Sequence, residues 1–388
     1  MKKILVLLEG DIYSRRGYFN AVIDRTVHLK ELSEYKIDIL VLSSFEPWYV
    51  RLIRHTPFVQ TPSMIELNGL SLNISWRKFR LIDYISRVKL HRDEPFRKIH
   101  ERKLIGKLRG YDLIIAHSMM CGRVAKQVKE RFGTPYTVTW HGSDTHTEPF
   151  VSANIYRQTI DVIMDADMNF YVSKALLNTS NLITETGNKM VLYNGYNKSF
   201  SKLSDEQKSI LRKRLGVKAK KVVTFAGNFL EIKNILKVPS IFKSVYEKFP
   251  DVEFWMVGDG KYRGQVEALS KGLPIHFWGN QDPEQMPSFL NATDVLILPS
   301  KNEGLPLIVV EALACGCNVV GSLVGGIPEV IGDHNCISLN DIDFESTFAD
   351  KVVSYLTSRE PSIQTLSEEF DWQLSATKEI QVIMSLID

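Results

Sequence analysis

A chain of 388 residues exceeds the usual domain of roughly 100–200 residues, so two domains are expected. Its composition, 44% hydrophobic and 24% charged, excludes collagen-like, disordered and disulfide-scaffold classes. With 48 Lys/Arg against 45 Asp/Glu the net charge is +3, so no single field dominates the molecule. Cys121, Cys315, Cys317 and Cys336 are too scattered for a disulfide framework, and no neighbouring His or Cys pair completes a zinc site. They read as reduced packing residues of a cytoplasmic protein. The apolar run Ile4–Leu8 stops at Glu9, too short for a signal peptide and right for a buried strand. No run approaches the roughly 18–20 apolar residues that span a bilayer.

Short apolar runs alternate with helix-period segments, the sequence form of βαβ units and parallel sheets. Strands are expected at Ile4–Leu8, Ile37–Leu42, Leu113–Ala116, Tyr136–Trp140 and Asn169–Val172, with helices such as Ala21–Leu32 and Gly122–Phe132 between them. Strands follow at Lys221–Ala226, Glu253–Val257, Ile275–Trp278, Val295–Pro299 and Asn318–Gly321. The intervening helices should start near Asn234, Tyr262, Pro283, Pro306 and Pro328. Asn197–Asp205 is polar, and Ser204 with Gln207 forms a capping box for a helix that Gly216 closes. The expected division is therefore 1–200, 201–370 and a last amphipathic helix in 371–388.

Residues 51–110 depart from the average, with 14 Lys/Arg against 5 Asp/Glu interleaved with Trp76, Phe79, Tyr84 and Phe96. Such a stripe suits an anionic membrane surface or an acidic acceptor, and equally a plain solvated face. No base-reading motif accompanies the charge, so nucleic acid is not expected.

Chemistry concentrates where the strand ending at Pro299 runs through Ser300-Lys301-Asn302-Glu303-Gly304-Leu305 into a helix, with Pro306 as its first residue. In a parallel α/β sheet that loop faces the ligand crevice at the strands' carboxyl ends. The helix N-terminus offers unpaired N–H groups and partial positive charge to an anion. Gly304 admits close backbone approach, and Glu303 and Glu311 are the carboxylates at hand. The spacing of two glutamates means little alone; the strand, the Gly-Leu-Pro turn and the helix give it weight.

Glu303-Gly304 through Glu311, then Ala314-Cys315-Gly316 and Gly325-Gly326-Ile327-Pro328-Glu329, resembles the retaining glycosyltransferases of family 4 with the GT-B fold. Arg214-Leu215-Gly216, Phe225-Ala226-Gly227-Asn228, Val257-Gly258-Asp259-Gly260 and Phe277-Trp278-Gly279 occur in the family's order. So do His141-Gly142-Ser143-Asp144, Val172-Ser173-Lys174, Asn194-Gly195 and Phe370-Asp371-Trp372. The resemblance covers about residues 110–388 well and the first hundred loosely.

It implies an α/β architecture, GT-B: two Rossmann-like doubly wound parallel-sheet domains facing a central cleft, an N-terminal acceptor domain, a C-terminal nucleotide-sugar domain and a final helix crossing back. By resemblance Glu311 holds the nucleotide ribose, Glu303 lies beside the donor sugar, Lys233 binds the diphosphate and His141 reaches the donor sugar. Asn228 stands where the family usually has Arg, which loses a fixed charge and a bidentate fork. The donor-binding set is completed by Gly304, Leu305, Leu307, Gly258 and Trp278. Arg15, Arg16 and Gly17 after the first strand, and His117 at a strand end, are acceptor or cleft candidates, with loop formation and local hydrogen bonding as their plain alternatives. Asp165-Ala166-Asp167 imitates a metal-binding acid pair but reads as a helix-to-strand turn, so no essential metal and no cofactor are expected.

The implied partners are a UDP- or GDP-sugar donor and a glycan or lipid-linked acceptor, in polysaccharide or glycoconjugate synthesis. The implied location is cytoplasmic, with peripheral attachment to the inner face of the membrane through residues 51–110. Two other readings remain open: a sugar-nucleotide epimerase or hydrolase of the same fold, and a non-catalytic nucleotide-sugar-binding subunit.

Overall fold

The computed structural model describes residues 1–13, 17–55, 58–86, 95–358 and 364–387. The chain divides into two units, Met1–Asn194 with Trp372–Asp388, and Gly195–Asp371. Each is built on its own sheet with helices connecting the strands.

The first unit contains β1 (Lys3–Glu9), β2 (Lys36–Phe45), β3 (Met64–Leu67), β4 (Leu70–Lys78), β5 (Leu113–His117), β6 (Tyr136–Trp140), β7 (Met168–Tyr171) and β8 (Lys189–Val191). Their order is β3-β4-β2-β1-β5-β6-β7-β8. The run that imitates a leader peptide is a central strand: Ile4 through Leu8 are all buried, as a strand covered on both faces requires. All pairings are parallel except β3 with β4, a hairpin turning at Asn68-Gly69. That hairpin falls inside the basic stretch, where the sequence reading placed no strands.

The second unit holds β9 (Lys221–Ala226), β10 (Val252–Val257), β11 (Ile275–Gly279), β12 (Val295–Leu298), β13 (Asn318–Ser322) and β14 (Cys336–Ile337). Their order, β11-β10-β9-β12-β13-β14, is the doubly wound 3-2-1-4-5-6 pattern, all parallel. The six strands β4-β2-β1-β5-β6-β7 of the first sheet repeat it. Strand order therefore reverses between β1 and β5 in one unit and between β9 and β12 in the other.

Local chemistry sets the helix boundaries. Ser204 accepts from the Gln207 N–H at 3.2 Å while the Gln207 side chain accepts from the Ser204 N–H at 3.0 Å, opening the helix Asp205–Arg214. The helix expected near Asn234 begins instead at Val238, because Asn234 is left-handed (φ 52°) and closes a short 3-10 turn, Glu231–Lys233. Pro306 likewise is not the first helical residue: at φ −77° and ψ 104° it is extended, and the helix is Leu307–Ala314. Met286–Ala292 starts after a 3-10 turn at Pro283–Gln285, and Pro328 is the second residue of Ile327–Ile331.

The last helix, Trp372–Ile387, packs on the first, Gly17–Leu32. Between them Arg25 and Glu379 form an ion pair of 2.6 Å with both side chains essentially inaccessible to solvent. Ser375 anchors the same helix by donating to the Tyr193 carbonyl at 2.5 Å.

Candidate active site

In the second unit the loops that follow β9 and β12 meet at the strand-order reversal. The 3-10 turn after β9 delivers Lys233, whose Nζ lies 2.6 Å from Glu303 Oε1. Ser300 Oγ donates to the same oxygen at 2.6 Å. The backbones are tied as well: the Lys301 N–H donates to the Ile232 carbonyl at 2.8 Å, and Lys301 Nζ reaches Glu231 at 3.1 Å. A cation and a carboxylate, both mostly shielded from solvent, are thus fixed at the position where open α/β sheets bind ligands.

Two glycines bring further loops against this pair. At Gly325 (φ +52°) an added Cβ would lie 1.8 Å from the Glu303 carbonyl oxygen, while the Gly326 N–H donates to the Gly304 carbonyl at 3.0 Å. The loop after β13 therefore rests directly on the Glu303–Gly304 backbone, which only a residue without a side chain permits. At Gly258 (φ +120°) a Cβ would meet the Gly227 carbonyl oxygen at 2.1 Å. This joins the ends of β9 and β10, and the Gly258 N–H donates to the Gly279 carbonyl at 2.7 Å.

Asn228 is exposed on the β9 loop. Leu305 has a buried side chain, so only its backbone is available to a ligand. Leu307 opens the helix that carries Glu311 one turn later. The Trp278 ring is held edge-to-face by Trp255 at 5.3 Å and Phe289 at 5.0 Å, a packing role beside the donor role expected of it.

In the first unit a polar cluster gathers at the carboxyl ends of β1, β5 and β6. His117 Nδ1 and His141 Nε2 are 3.1 Å apart, so one imidazole donates and the other accepts. Tyr18 packs edge-on against His141 at 4.8 Å and donates its hydroxyl to the His117 carbonyl at 3.1 Å. Ser118 Oγ donates to Glu9 at 2.9 Å, across the reversal between β1 and β5. His117 is thus hydrogen-bonded to His141 at the carboxyl end of β5. Burial, reinforced by the Arg25 charge, pushes the His141 imidazole down to about 3. Burial, with His141 and Arg25, holds His117 well below the ordinary histidine range. Asp144 accepts the Gly142 N–H at 2.8 Å and the His141 N–H at 3.2 Å, shaping the turn that presents His141. Burial raises its carboxyl to about 7.

Arg15 and Arg16 lie outside the described residues, and Gly17 opens the first helix. Asp165-Ala166-Asp167 is the end of the helix Ala153–Asp165 followed by a turn, where Asp167 takes Lys129 at 2.9 Å and the Tyr136 N–H at 2.9 Å. All four cysteines are free. Among the described residues no group of three or more His, Cys, Asp or Glu side chains is arranged to hold a metal ion. Also among them, no helix is long and apolar enough to cross a membrane.

Ser300, Tyr18 and Glu9 escaped the sequence reading. Ser300 was within reach of it, three residues before Glu303 on the same loop; nothing local marks Tyr18 or Glu9.

Two parallel, doubly wound sheets of this strand order are the α/β architecture found in proteins of the GT-B class. Residues 207–368 match the family model of glycosyl transferases group 1, and the two-sheet architecture is that of GT-B proteins. It is 31% identical over 226 residues to TuaC of Bacillus subtilis, named as a teichuronic acid biosynthesis glycosyltransferase; the match covers 58% of this chain and 56% of TuaC. It is 28% identical to N-acetyl-alpha-D-glucosaminyl L-malate synthase of Bacillus anthracis, covering 63% of this chain and 64% of that enzyme. The chain thus spans somewhat over half the length of these two curated relatives. Among solved structures, sucrose-phosphate synthase of Thermosynechococcus elongatus superposes with a TM-score of 0.74 at 18% identity, over 100% of this chain and 99% of that one. Anabaena HepE in complex with UDP and glucose gives 0.71 at 18% identity, over 99% of this chain and 100% of that one. At such identities the structures speak for the fold alone.

Proposed function

We propose that this protein is a retaining glycosyltransferase of family 4 that moves a sugar from a UDP- or GDP-sugar to a hydroxyl of a glycan or lipid-linked acceptor, in polysaccharide or glycoconjugate synthesis. The observation that carries the reading is the Lys233–Glu303 pair at the β9/β12 reversal, 2.6 Å apart and framed by Gly258 and Gly325. The glycosyltransferase names of the relatives support it, as do the UDP and glucose held by HepE.

In this reading Lys233 and the N–H groups at the start of Leu307–Ala314 stabilise the negative charge that grows on the departing nucleoside diphosphate. When diphosphate engages Lys233, Glu303 is released toward the hydroxyls of the donor sugar. Glu311 binds the ribose, and His141, kept neutral by burial, serves the donor sugar as a hydrogen-bonding group. Asn228 leaves diphosphate neutralisation to Lys233 and the helix terminus. The reading calls for no metal and places the enzyme in the cytoplasm.

A panel of nucleotide sugars, scored first by thermal shift and then by acceptor-dependent nucleotide release, tests the assignment. Donor binding together with acceptor-dependent release supports it. Release that is as fast without acceptor moves the chain to hydrolase or epimerase chemistry, and binding without turnover makes it a non-catalytic subunit.

A further inference from the structure

The two imidazoles of the first unit meet nitrogen to nitrogen, and the atoms that meet are different ones. His117 offers Nδ1 and His141 offers Nε2, 3.1 Å apart. Burial foremost, with the Arg25 charge added, keeps both rings neutral. Two neutral imidazoles in contact share one proton, and a neutral ring carries a single N–H. The bond therefore fixes the far nitrogen of each ring as well. If His117 Nδ1 carries the proton, His141 Nε2 is bare and His141 Nδ1 is an N–H. If His141 Nε2 carries it, His141 Nδ1 is bare and His117 holds its N–H at Nε2. The two rings must carry the same tautomer.

The fold clamps this pair from several sides. His117 closes β5 in register with Thr139 of β6, and the Ser118 N–H donates to the Thr139 carbonyl at 3.1 Å. The chain turns at Ser118, whose φ of +86° is one that a residue other than glycine seldom adopts. The Ser118 hydroxyl, bonded to Glu9 at 2.9 Å, holds that turn. Tyr18 covers the pair from the first helix, through its ring against His141 and its hydroxyl on the His117 carbonyl. From the same helix Arg25 lies over Phe170, which stands beside Thr139 in the next strand, and is paired with Glu379. The remaining titratable groups leave the shared proton alone. Burial holds Tyr18 and Cys121 protonated, well above their ordinary ranges, and Asp144 is turned to the His141 and Gly142 N–H groups. Backbone strain kept in place by so many contacts marks a side chain held at one angle.

His117 is 1% exposed, whereas His141 is only partly buried. A ligand therefore meets His141, and His117 acts on it only through that ring. We infer that His117 is a positioning residue: the proton it shares sets the tautomer of His141, and with it whether His141 Nδ1 gives a hydrogen bond to the donor sugar or accepts one. This rests on the reading above in which His141 serves the donor sugar. Without His117 the ring is free to turn and to take either tautomer, so part of the population presents the wrong atom, a fault that is costly wherever an imidazole works at a reacting centre.

Long-range proton–nitrogen NMR spectra of the full chain labelled with nitrogen-15 histidine test the pairing directly. Two neutral rings of one matching tautomer are expected; opposite tautomers, or a mixture at His141, would overturn the proposal. His117→Leu should leave His141 in a mixture of tautomers and lower kcat/KM by about tenfold or more, with the donor identified by thermal shift. His117→Asn, whose amide reaches the place of Nδ1, should restore a single His141 tautomer and part of the rate. In a His141→Ala background His117→Leu should cost nothing further, because its route to the sugar is already gone. An equal loss in that background would show His117 acting by itself and overturn the positioning role. If His117→Leu does not fold, the spectra of the unaltered chain and of His117→Asn still decide. Matched tautomers with no turnover on any nucleotide sugar would sink the enzymatic reading and the sugar-facing half of this proposal, while the spectra alone decide the pairing.

Discussion

Lys233 and Glu303, 70 residues apart in sequence, share a hydrogen-bonded ion pair of 2.6 Å between the loops after β9 and β12, and Ser300 donates to the same carboxylate oxygen. Glu303 is thereby oriented from two sides. A lysine already committed to a carboxylate is a poor surface charge and a good exchangeable one: a diphosphate carries more negative charge than Glu303 and competes for the ammonium.

Removal of the cation should therefore act on the chemical step. Lys233→Ala is expected to lower turnover about a hundredfold or more, the usual scale for loss of a group that stabilises developing negative charge. Lys233→Arg should recover part of it. Steady-state kinetics with the donor identified by thermal shift checks this; full activity of Lys233→Ala would remove the lysine from the mechanism.

Ser300→Ala removes an orienting bond and leaves the ion pair. A loss of about tenfold in kcat with a nearly unchanged donor KM is expected, whereas Glu303→Ala should abolish transfer. If Ser300→Ala were as damaging as Glu303→Ala, Ser300 would have to touch substrate itself.

Gly325→Ala should disrupt the site at its backbone. The new Cβ meets the Glu303 carbonyl oxygen at 1.8 Å from a left-handed residue, so the loop after β13 must move. Destabilisation of more than about 1 kcal/mol, together with loss of donor binding, is the expected outcome in chemical denaturation and calorimetry.

The buried pair in the first unit predicts a reversal of effects. Arg25→Met or Glu379→Leu alone strands one charge in an apolar interior and should cost roughly 3–5 kcal/mol. The double substitution should recover most of that. Denaturant unfolding of the three variants decides it, and additive losses would contradict the pairing.

His117 and His141 should remain neutral well into the acid range. Their folded-state pKa values lie below the ordinary histidine value, through burial foremost. The stability they contribute is then complete above about pH 6.5, the unfolded value. It is lost as the pH falls from there toward the His141 value of about 3. Asp144 acts oppositely: its raised carboxyl favours the fold below the unfolded aspartate value and loses that contribution as the pH rises through about 7. Histidine ring signals followed by NMR between pH 7 and 5 should move for exposed imidazoles and stay fixed for these two.

Much of this was legible in the sequence because it is local. Apolar runs bounded by turns located β1, β2, β5, β6, β7 and β9 through β13 to within a few residues. Ser204, Gln207 and Gly216 delimited one helix by capping chemistry alone, and the motifs around Glu303 and His141 named the family. The β3–β4 hairpin was hidden by its polar and basic residues. The start at Val238 was hidden because a left-handed asparagine is invisible to periodicity.

Tertiary structure decided whatever depends on partners distant along the chain. Strand order set the two reversals, and the reversal between β9 and β12 put Lys233 against Glu303. Gly325 owes its necessity to a carbonyl 22 residues away, and Arg25 its partner to the last helix. The helix Trp48–Arg54, which exposes Trp48, Leu52 and Ile53, belongs to the same class: a short helix that is apolar nearly all round does not say which side meets the core, and only packing around Val50 fixed it. Sequence sets what each segment can form, because propensity and capping act within a few residues. Which segments then face one another is settled by sheet register and burial, which act across the whole unit.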